Sequence, residues 1–425
     1  MTARRIALSI TEGRTVRDLF ENGLLDLLGE AGVEVDVFTE AVTVPQFVDE
    51  WSRPHVCFEP FVPATGTAGR TRAYWMRRRL ARRGNGAVLG RYLRWEQRRF
   101  YRPQPEHLET LRRRDPALVV STHAHLYAET ELLAAGHALG IPTLGLVRSW
   151  DNVHKGIHAR PQRLLVWNEI NRGEVVELEG YRPEDVEVVG APQFDPYFAP
   201  DLLWPREKLA ERFDLDPERP IILFATLGYF IPGFDETCWM EELVRLLDEG
   251  ALPGRPQVLC RLHPWSRLEH FRKFEAHPDV RMSMVERYLP ALTWSMTRED
   301  VYEVGNMLAH ADVVVTPAST MTLEAAIFDR PTVVPIFHTY QPERAASYFS
   351  TWSLGKHFGR IAEHDLVPIV REASGYGPAV ARAMEDPGWY SEGRRTLVQD
   401  YVPFTDGKCT ERLVQAILRG AGWPA

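Results

Sequence analysis

Short apolar runs alternate with segments of helical periodicity along most of this chain. Residues 311–337 show the pattern most clearly, because a valine-rich run, a turn of small residues, a helical stretch and a second apolar run follow one another directly. Fully apolar runs of this length are typical of parallel strands covered on both faces. Since the same order recurs in both halves of the chain, the pattern predicts an α/β protein with two doubly wound, Rossmann-like domains.

The predicted elements divide the chain into two domains of similar length. Strands are expected at residues 5–10, 33–38, 55–61, 117–121, 142–147, 163–167, 186–189, 221–226, 258–262 and 280–285, with two more within 311–337, and helices at 16–32, 128–140, 238–249 and 408–419. We expect an N-terminal domain at 1–195, a proline-spaced linker at 196–219 and a C-terminal domain at 220–425. Because ligands of doubly wound sheets bind outside the carboxyl ends of the strands, the expected site is a central cleft that both domains face.

Composition agrees with two domains and excludes several classes of protein. The 425 residues exceed the size at which a single core usually stops growing. No apolar run approaches the roughly 20 residues that span a bilayer, and the N-terminus lacks the apolar stretch of a secretory signal, so a cytoplasmic location is expected. The four cysteines have no paired spacing, which argues against a zinc site and against a disulfide framework.

An arginine-rich segment departs from the net charge of −8 of the whole chain. Residues 70–102, in a helical insertion expected at about 66–102, contain twelve arginines, six interleaved aromatic residues and one acidic residue, Glu96. The mixture is typical of a surface that meets anionic lipid headgroups or another anionic acceptor. A nucleic-acid groove has the same composition and is the less favoured interpretation. A solvated pair of helices is the simpler alternative. We expect peripheral contact with the inner face of an anionic membrane and no nucleic-acid partner.

A turn of small polar residues follows the predicted strand at 312–316. Ser319 and Thr320 stand at the carboxyl end of that strand, where a helix is expected to begin. Free N–H groups and hydroxyls at such a turn are suited to phosphate. Glu324, one helical turn further on, is placed to reach vicinal hydroxyls such as those of a ribose. An ordinary βαβ unit, with Ser319 as a helix cap and Glu324 in solvent, accounts for the same residues.

Over nearly its whole length the chain resembles the GT-B glycosyltransferase fold. Three segments are similar to parts of the nucleotide-donor domain of that fold: PASTMTLEA at 317–325, RLHP at 261–264 and FTDGKCTER at 404–412. The first occupies the diphosphate position, the second resembles the basic element of bacterial surface-polymer transferases, and the third resembles the DGxxxxR segment that opens the last helix of CDP-glycerol polymer transferases. The resemblance implies a donor site made of Arg261, His263, Ser319, Thr320 and Glu324.

A fourth similar segment lies in the first half, which the resemblance makes the acceptor side. SWDNVHKG at 149–156 follows a predicted strand where the CDP-glycerol transferases have a Trp-His-Gly element whose His is the catalytic base. Asp151 replaces that His and Asn152 replaces the Gly, which argues against glycerophosphate transfer. An inverting sugar transfer needs a base near the acceptor hydroxyl, and Asp151 is the candidate, with Asn152 and Lys155 as further contacts. A turn that caps the next segment would also account for Asp151 and Asn152.

Two further polar clusters are expected at the same edge of the first sheet. His123 and His125 follow the strand at 117–121, and since no carboxylate or cysteine stands at a ligand spacing nearby, no metal site is predicted. His123 is a second candidate catalytic residue, and His125 is a secondary contact. Glu12 and Arg14 replace the glycine-rich loop that many GT-B enzymes have after the first strand, and they are candidate acceptor contacts.

The expected function is therefore a glycosyltransferase in bacterial surface glycan or related polymer synthesis. A nucleotide-diphosphate sugar is the co-substrate, no cofactor is permanently bound, and the acceptor is a hydroxyl of a glycan, a lipid-linked molecule or a small molecule. Inversion is favoured because Thr332 stands where retaining families have a second Glu after Glu324.

Three alternatives remain open. The first is a UDP-N-acetylglucosamine 2-epimerase, whose family has a Ser-Gly-Gly-x-x-Glu element where this chain has STMTLE at 319–324. The second is a CDP-glycerol-type transferase, and the third, from another class, is a non-catalytic nucleotide-binding scaffold.

Overall fold

A computed structural model describes residues 4–63, 70–83, 86–125, 129–228, 235–285, 291–292 and 295–424. The strands are β1 (Arg4–Ile10), β2 (Val33–Thr39), β3 (Val56–Pro60), β4 (Leu118–Ser121), β5 (Thr143–Leu146), β6 (Arg163–Val166), β7 (Val186–Val188), β8 (Ile221–Ala225), β9 (Gln257–Leu262), β10 (Val280–Met284), β11 (Val313–Val315), β12 (Thr332–Pro335) and β13 (Ile369–Val370).

Most of the α-helices connect these strands, and the last three follow β13. They are α1 (Gly13–Thr15), α2 (Leu24–Glu30), α3 (Pro45–Trp51), α4 (Arg70–Arg82), α5 (Gly86–Phe100), α6 (Pro105–Arg114), α7 (Thr130–Leu139), α8 (Asn152–Lys155), α9 (Glu169–Glu179), α10 (Arg206–Phe213), α11 (Thr237–Asp248), α12 (Leu268–Phe271), α13 (Arg298–His310), α14 (Met321–Ile327), α15 (Pro342–Tyr348), α16 (Gly359–Glu363), α17 (Tyr376–Glu385), α18 (Ser391–Tyr401) and α19 (Cys409–Gly420). None of the described helices is both long enough and apolar enough to cross a membrane.

The strands form two sheets in which all paired strands are parallel. One has the order β3-β2-β1-β4-β5-β6-β7 and the other β10-β9-β8-β11-β12-β13. In each sheet the chain starts in the middle, moves outward to one edge and then returns to build the other side. The α/β fold class predicted from the sequence, with two doubly wound sheets, is confirmed.

The chain divides into two compact units. Unit 1 comprises Met1–Phe198, Arg287–Thr297 and Pro403–Ala425, and unit 2 comprises Ala199–Glu286 and Arg298–Val402. The last helix, α19, therefore belongs to unit 1, although the sequence pattern assigns it to the second half. Its Leu413 and Ile417 are buried in the same apolar cluster as Ile6 of β1 and Leu28 of α2.

The single long helix expected at 16–32 is interrupted, and this expectation was wrong. A π-helical turn spans Val16–Phe20, and α2 begins only at Leu24. Gly23 between them has φ +81°, a left-handed conformation that a helix interior cannot contain.

The arginine-rich insertion forms α4 and α5, and part of its charge is buried. Arg77 is 1% exposed and donates to Glu96 on α5 and to Glu179 at the end of α9, with nitrogen–oxygen distances of 3.2 and 3.0 Å. Burial alone would lower the pKa of Arg77, but the Glu179 and Glu96 carboxylates outweigh it and raise that pKa. Arg78 is also buried, with Nη1 donating to the Tyr74 hydroxyl. A uniformly solvated helix pair is thus excluded, because these two arginines fasten the insertion to α9.

Arg77→Gln should lower the free energy of unfolding by about 3–5 kcal/mol, since Glu96 and Glu179 would be left as buried carboxylates without their cation. Arg79→Gln, two positions along the same helix but exposed, is the matched control and should change stability by less than about 0.5 kcal/mol. Urea denaturation of both variants is the measurement. Equal stability of the two variants would contradict the anchoring role of Arg77.

Candidate active-site residues of the two units

The polar residues predicted in unit 1 gather at one edge of its sheet. Strands β1, β4 and β5 are neighbours, and the loops that leave their carboxyl ends carry the candidate residues. These are Glu12 and Arg14 after β1, His123 and His125 after β4, and Asp151, Asn152 and Lys155 after β5. The strand order reverses between β1 and β4, and a reversal of this kind opens a crevice at the carboxyl ends of the strands.

Glu12 lies between a cation and an imidazole. Its Oε2 accepts a hydrogen bond from Arg14 Nη2 at 2.7 Å and lies 3.5 Å from Nδ1 of His123. Burial, followed by the charge of Arg148, lowers the pKa of Arg14 to about 10, although Glu12 acts in the opposite sense. Gly13 is required in this loop because a Cβ there would lie 2.6 Å from the backbone of Ser295.

The two histidines of the β4 loop form a close pair. Their ring centroids are 4.1 Å apart, and neither ring nitrogen of His123 makes a hydrogen bond within the described part of the chain. Burial lowers the pKa of both rings well below the usual value, helped by the other imidazole at His123 and by Lys155 at His125. Burial therefore favours the neutral form of both rings and disfavours their protonation.

Asp151 lies at the start of α8, after β5. One carboxylate oxygen is 2.6 Å from the ammonium of Lys155, and the other accepts a hydrogen bond from the side chain of Asn152 at 3.2 Å. Asp151 makes no side-chain cap to the helix. The turn is closed instead by Asn152, whose Oδ1 accepts from Ser149 N at 2.9 Å. The carboxylate of Asp151 is thus held by polar neighbours and is partly exposed.

Sequence reasoning missed the carboxylate that holds the β1 and β4 loops together. Glu129 is buried, and its two oxygens accept hydrogen bonds from Ser9 Oγ, Thr11 Oγ1, Ser121 Oγ, Thr122 Oγ1 and the backbone N–H of His123. Burial raises the pKa of Glu129, and these donors oppose the rise. In the sequence, the only sign of this arrangement is that four hydroxyl residues at the ends of β1 and β4 precede Glu129.

A second missed group is the buried pair of Arg148 and Asp18. Arg148, directly after the β5 strand, donates from Nη1 to Asp18 in the π-helical turn, and Arg17 donates to the other oxygen of Asp18. Nε of Arg148 is buried without a hydrogen bond in the described structure. Arg14, which pairs with Glu12, adds a third guanidinium group to Arg17 and Arg148 at this edge.

The donor residues predicted in unit 2 come from the central strands of its sheet. Arg261 lies in β9 and is buried, with Nη1 donating to Ser283 Oγ of β10 at 2.7 Å. The N–H of His263, just past β9, donates at 2.7 Å to Oγ1 of Thr226, which follows β8 and also lies 2.7 Å from Ser266 Oγ. This hydroxyl pair, Thr226 after β8 and Ser266 after β9, was not predicted.

The other three predicted donor residues follow β11, with Ser319 and Thr320 in the turn and Glu324 in α14. Ser319 Oγ lies 3.0 Å from Thr316 Oγ1, and α14 begins at Met321 after Thr320, which makes no side-chain cap. The helix has only seven residues, so its dipole is smaller than the sequence pattern suggests. Ser319, Thr320 and Glu324 are all half-buried. The sheet order reverses between β8 and β11, which puts this turn next to the Thr226 loop.

A buried carboxylate, Glu236, shapes the loop after β8 and was also missed. It accepts hydrogen bonds from the backbone N–H groups of Leu227 and Gly228. Gly228 has φ +81°, and a Cβ there would lie 2.5 Å from the ring of His263. Burial raises the pKa of Glu236 to about 8, against the lowering effect of these two donors. Burial therefore favours the protonated form of Glu236.

The FTDGKCTER segment, similar in sequence to a donor-domain element, lies in unit 1. Asp406 and Arg412 form an ion pair at 2.6 Å, and Asp195 accepts from the first N–H groups of α19, those of Cys409 and Thr410. These contacts give the segment a structural role in unit 1. No cluster of three or more potential metal ligands occurs among the described residues.

The architecture defines a GT-B-type α/β protein, and solved structures with this fold resemble it over its full length. A UDP-GlcNAc 2-epimerase from Neisseria meningitidis bound to UDP-GlcNAc matches with a TM-score of 0.58 and 11% identity, covering 98% of this chain and 100% of that one. A glycosyltransferase from Rickettsia africae matches with a TM-score of 0.54 and 10% identity, covering 99% and 100%. The wall teichoic acid polymerase TagF matches with a TM-score of 0.53 and 11% identity, covering 99% and 89%.

These identities show a shared fold, and the GT-B fold that the sequence resemblance implies is confirmed. No protein-family model and no curated protein sequence matches the chain.

Glu236→Gln should change how stability depends on pH. The pKa of Glu236 rises from its ordinary 4.5 to about 8 on folding, so the folded protein binds this proton more tightly than the unfolded chain. The free energy of unfolding of the native protein should therefore fall relative to that of the variant as pH rises from about 4.5 to about 8, with a limiting slope of about 1.4 kcal/mol per pH unit. Denaturant titrations across this range measure the difference. Parallel pH profiles would show that Glu236 is ionised in the folded state.

Proposed function

We propose that the protein is a GT-B glycosyltransferase that moves a sugar from a nucleotide diphosphate to an acceptor hydroxyl with inversion. The observation that carries this proposal is the edge of the unit 2 sheet, where Arg261, His263, Thr226 and Ser319 come from adjacent strands. A cation, an imidazole and several hydroxyls at the carboxyl ends of parallel strands suit a diphosphate. Glu324, half-buried in α14, is the proposed partner of the ribose hydroxyls.

In this proposal, unit 2 supplies the stabilisation of the leaving group. As the bond between the anomeric carbon and the diphosphate oxygen breaks, the electron pair stays on that oxygen. Arg261 and the hydroxyls of Ser319 and Thr320 are the proposed donors to the developing charge, a role that needs no metal. Residues fixed in advance by contacts such as Arg261 with Ser283 do not have to reorganise during the step.

Unit 1 supplies the proposed base. Asp151 takes the proton of the acceptor hydroxyl while that oxygen forms the bond to the anomeric carbon. The ammonium of Lys155 lies 2.6 Å from this carboxylate and orients it. His123, whose Nδ1 lies 3.5 Å from the carboxylate of Glu12, is the second proposed proton acceptor at the same edge. Arg14, His125 and Asn152 are proposed contacts that position the acceptor.

A UDP-GlcNAc 2-epimerase is the second candidate. Its specific support is the pair of carboxylates, Glu12 and Asp151, that accompany His123 at the edge of the unit 1 sheet, since epimerisation at a sugar carbon needs groups that remove and return a proton. Structures of such epimerases are among those that share the fold.

Incubation of purified protein with a panel of nucleotide sugars distinguishes these functions. A transferase releases nucleoside diphosphate and forms a glycoside only when a competent acceptor is present. An epimerase converts the nucleotide sugar to an isomer without any acceptor, and a non-catalytic scaffold does neither although it binds the nucleotide. Product analysis by mass spectrometry and NMR gives the answer, including the anomeric configuration.

Glu324→Ala should weaken binding of the cognate nucleotide by about 1.5–3 kcal/mol, because charge-assisted hydrogen bonds to the ribose hydroxyls would be lost. Glu343→Ala, an exposed glutamate of α15 in the same unit, is the matched control and should leave affinity unchanged. Isothermal titration calorimetry compares the variants. If Glu324→Ala binds as tightly as the control, Glu324 does not contact the nucleotide.

Asp151→Asn keeps the shape of the side chain and removes its basicity. Turnover should fall by about 100-fold or more, while the affinity for the nucleotide, which unit 2 is proposed to bind, stays within about twofold. Asp49→Asn, on the exposed face of α3, is the control for a change of one charge in unit 1. Steady-state kinetics and calorimetry together make the test. Undiminished turnover would assign the base elsewhere, with His123→Gln as the next variant.

A further inference from the structure

The outward side of α4 is a continuous stripe of cationic and apolar residues. Its exposed residues follow one another at helical spacing and are Arg72, Trp75, Met76, Arg79, Arg82 and, just past the helix, Arg83. Trp75 is 55% exposed and Met76 46% exposed, values that are rare for large apolar side chains. The opposite side of the helix contains the buried Arg77.

The outward side of α5 repeats the same composition. Arg91, Arg94, Trp95, Arg98 and Arg99 are exposed and again fall on one helical face, and Trp95 is 51% exposed. The inward side contains the buried Glu96. Since Arg77 and Glu96 meet in the interior of the insertion, both stripes face away from that contact. We call the two stripes together the arginine–tryptophan face.

The arginine–tryptophan face has a single sign of charge. Glu96 is the one acidic residue between positions 72 and 102, and it is 2% exposed because it is committed to Arg77. The described residues of the face therefore include exposed guanidinium groups from both helices and no exposed carboxylate. A partner that covers this face must be anionic, and it must also accept two indole rings.

We propose that the arginine–tryptophan face binds the headgroup region of an anionic lipid bilayer. Arginines on an amphipathic surface are attracted to anionic lipid, and tryptophan is favoured at the boundary between headgroups and acyl chains. Met76 supports lipid over nucleic acid, because a thioether inserts among acyl chains but neither stacks on bases nor donates to them. Each stripe runs along a helix of more than three turns, 13 residues in α4 and 15 in α5, and each can therefore lie along a bilayer surface, whereas single-stranded nucleic acid is bound in grooves.

Buried ion pairs hold the two like-charged stripes in place, and they join Arg77 to Glu96 and Glu179. A face that carries so many like charges repels itself, and the two helices stay together because their inward sides are joined by buried, paired charges. The insertion is also attached to α9 through the ion pair of Arg77 with Glu179, which connects the arginine–tryptophan face to the rest of unit 1.

Membrane binding is measured without any substrate, and so its outcome is independent of the proposed transferase activity. Native protein is sedimented with phosphatidylcholine vesicles and with vesicles that also contain phosphatidylglycerol, at low and high salt. Native protein should pellet with the anionic vesicles and not with the zwitterionic ones. Binding should weaken at high salt, because the charges are exposed and screened over a Debye length of about 8 Å at physiological ionic strength.

Two variants test the face itself. Arg79→Gln, Arg91→Gln and Arg98→Gln combined should reduce the partition coefficient on anionic vesicles about 100-fold, at about 1 kcal/mol for each arginine. Trp75→Ser combined with Trp95→Ser should also weaken binding, and the residual binding should depend more strongly on salt. Both variants change exposed residues, and unchanged thermal unfolding midpoints would show that they fold.

The matched control removes the same three charges elsewhere. Arg112, Arg272 and Arg371 are exposed and lie outside the face, and their combined change to Gln should leave vesicle binding within about threefold of native. If the control and the three-arginine variant lost vesicle binding equally, the loss would be explained by net charge alone, and the proposal would be overturned. Failure of native protein to bind anionic vesicles at low salt, or binding to a single-stranded oligonucleotide instead of vesicles, would overturn it as well.

Discussion

Parallel pairing of the central strands is the constraint on which every candidate residue depends. A parallel sheet sends all its carboxyl ends to one edge, and the reversal of strand order between β1 and β4 in one sheet and between β8 and β11 in the other leaves a crevice at that edge. Residues far apart in the chain, such as Glu12 and His123, become neighbours for this reason alone. Without the reversal, each loop would be covered by the helix that connects it to the next strand.

The same constraint explains why the fold could be predicted from the sequence. Wholly apolar runs such as those in β8 and β11 are buried on both faces, a pattern that fits parallel strands and no exposed sheet. Once the strands are known, the residues that follow them must lie at the carboxyl edge, as Ser319 does after β11, whereas Asp151 was singled out by the resemblance to the CDP-glycerol transferases. Local interruptions are harder to predict, because the break at Gly23 depends on one left-handed residue within an otherwise helical pattern.

Buried carboxylates are the part of the candidate site that the sequence could not reveal. Glu129 and Glu236 each hold a strand-end loop by accepting hydrogen bonds from it, yet both stand at or near the start of a helix, where an acidic residue is ordinary. Their partners are hydroxyls and backbone N–H groups, which have no distinctive spacing in a sequence. Asp195 does the same for the start of α19 across more than two hundred residues. Only the three-dimensional structure distinguishes these carboxylates from solvated ones.

The arginines of the insertion have two different roles: some are buried in ion pairs, and others are exposed to solvent. An arginine on the inward side gains from burial only if a carboxylate meets it, and Glu96 and Glu179 meet Arg77. An arginine on the outward side keeps its charge in water, where it acts over about a Debye length on whatever approaches. Composition alone cannot separate the two groups, because Arg77 and Arg79 are two residues apart on one helix. Helical phase separates them, since residues that share a face recur every three or four positions. Glu96, the single acidic residue of the segment, lies on the inward side. The described residues of the outward side therefore carry only positive charge, which an anionic surface attracts.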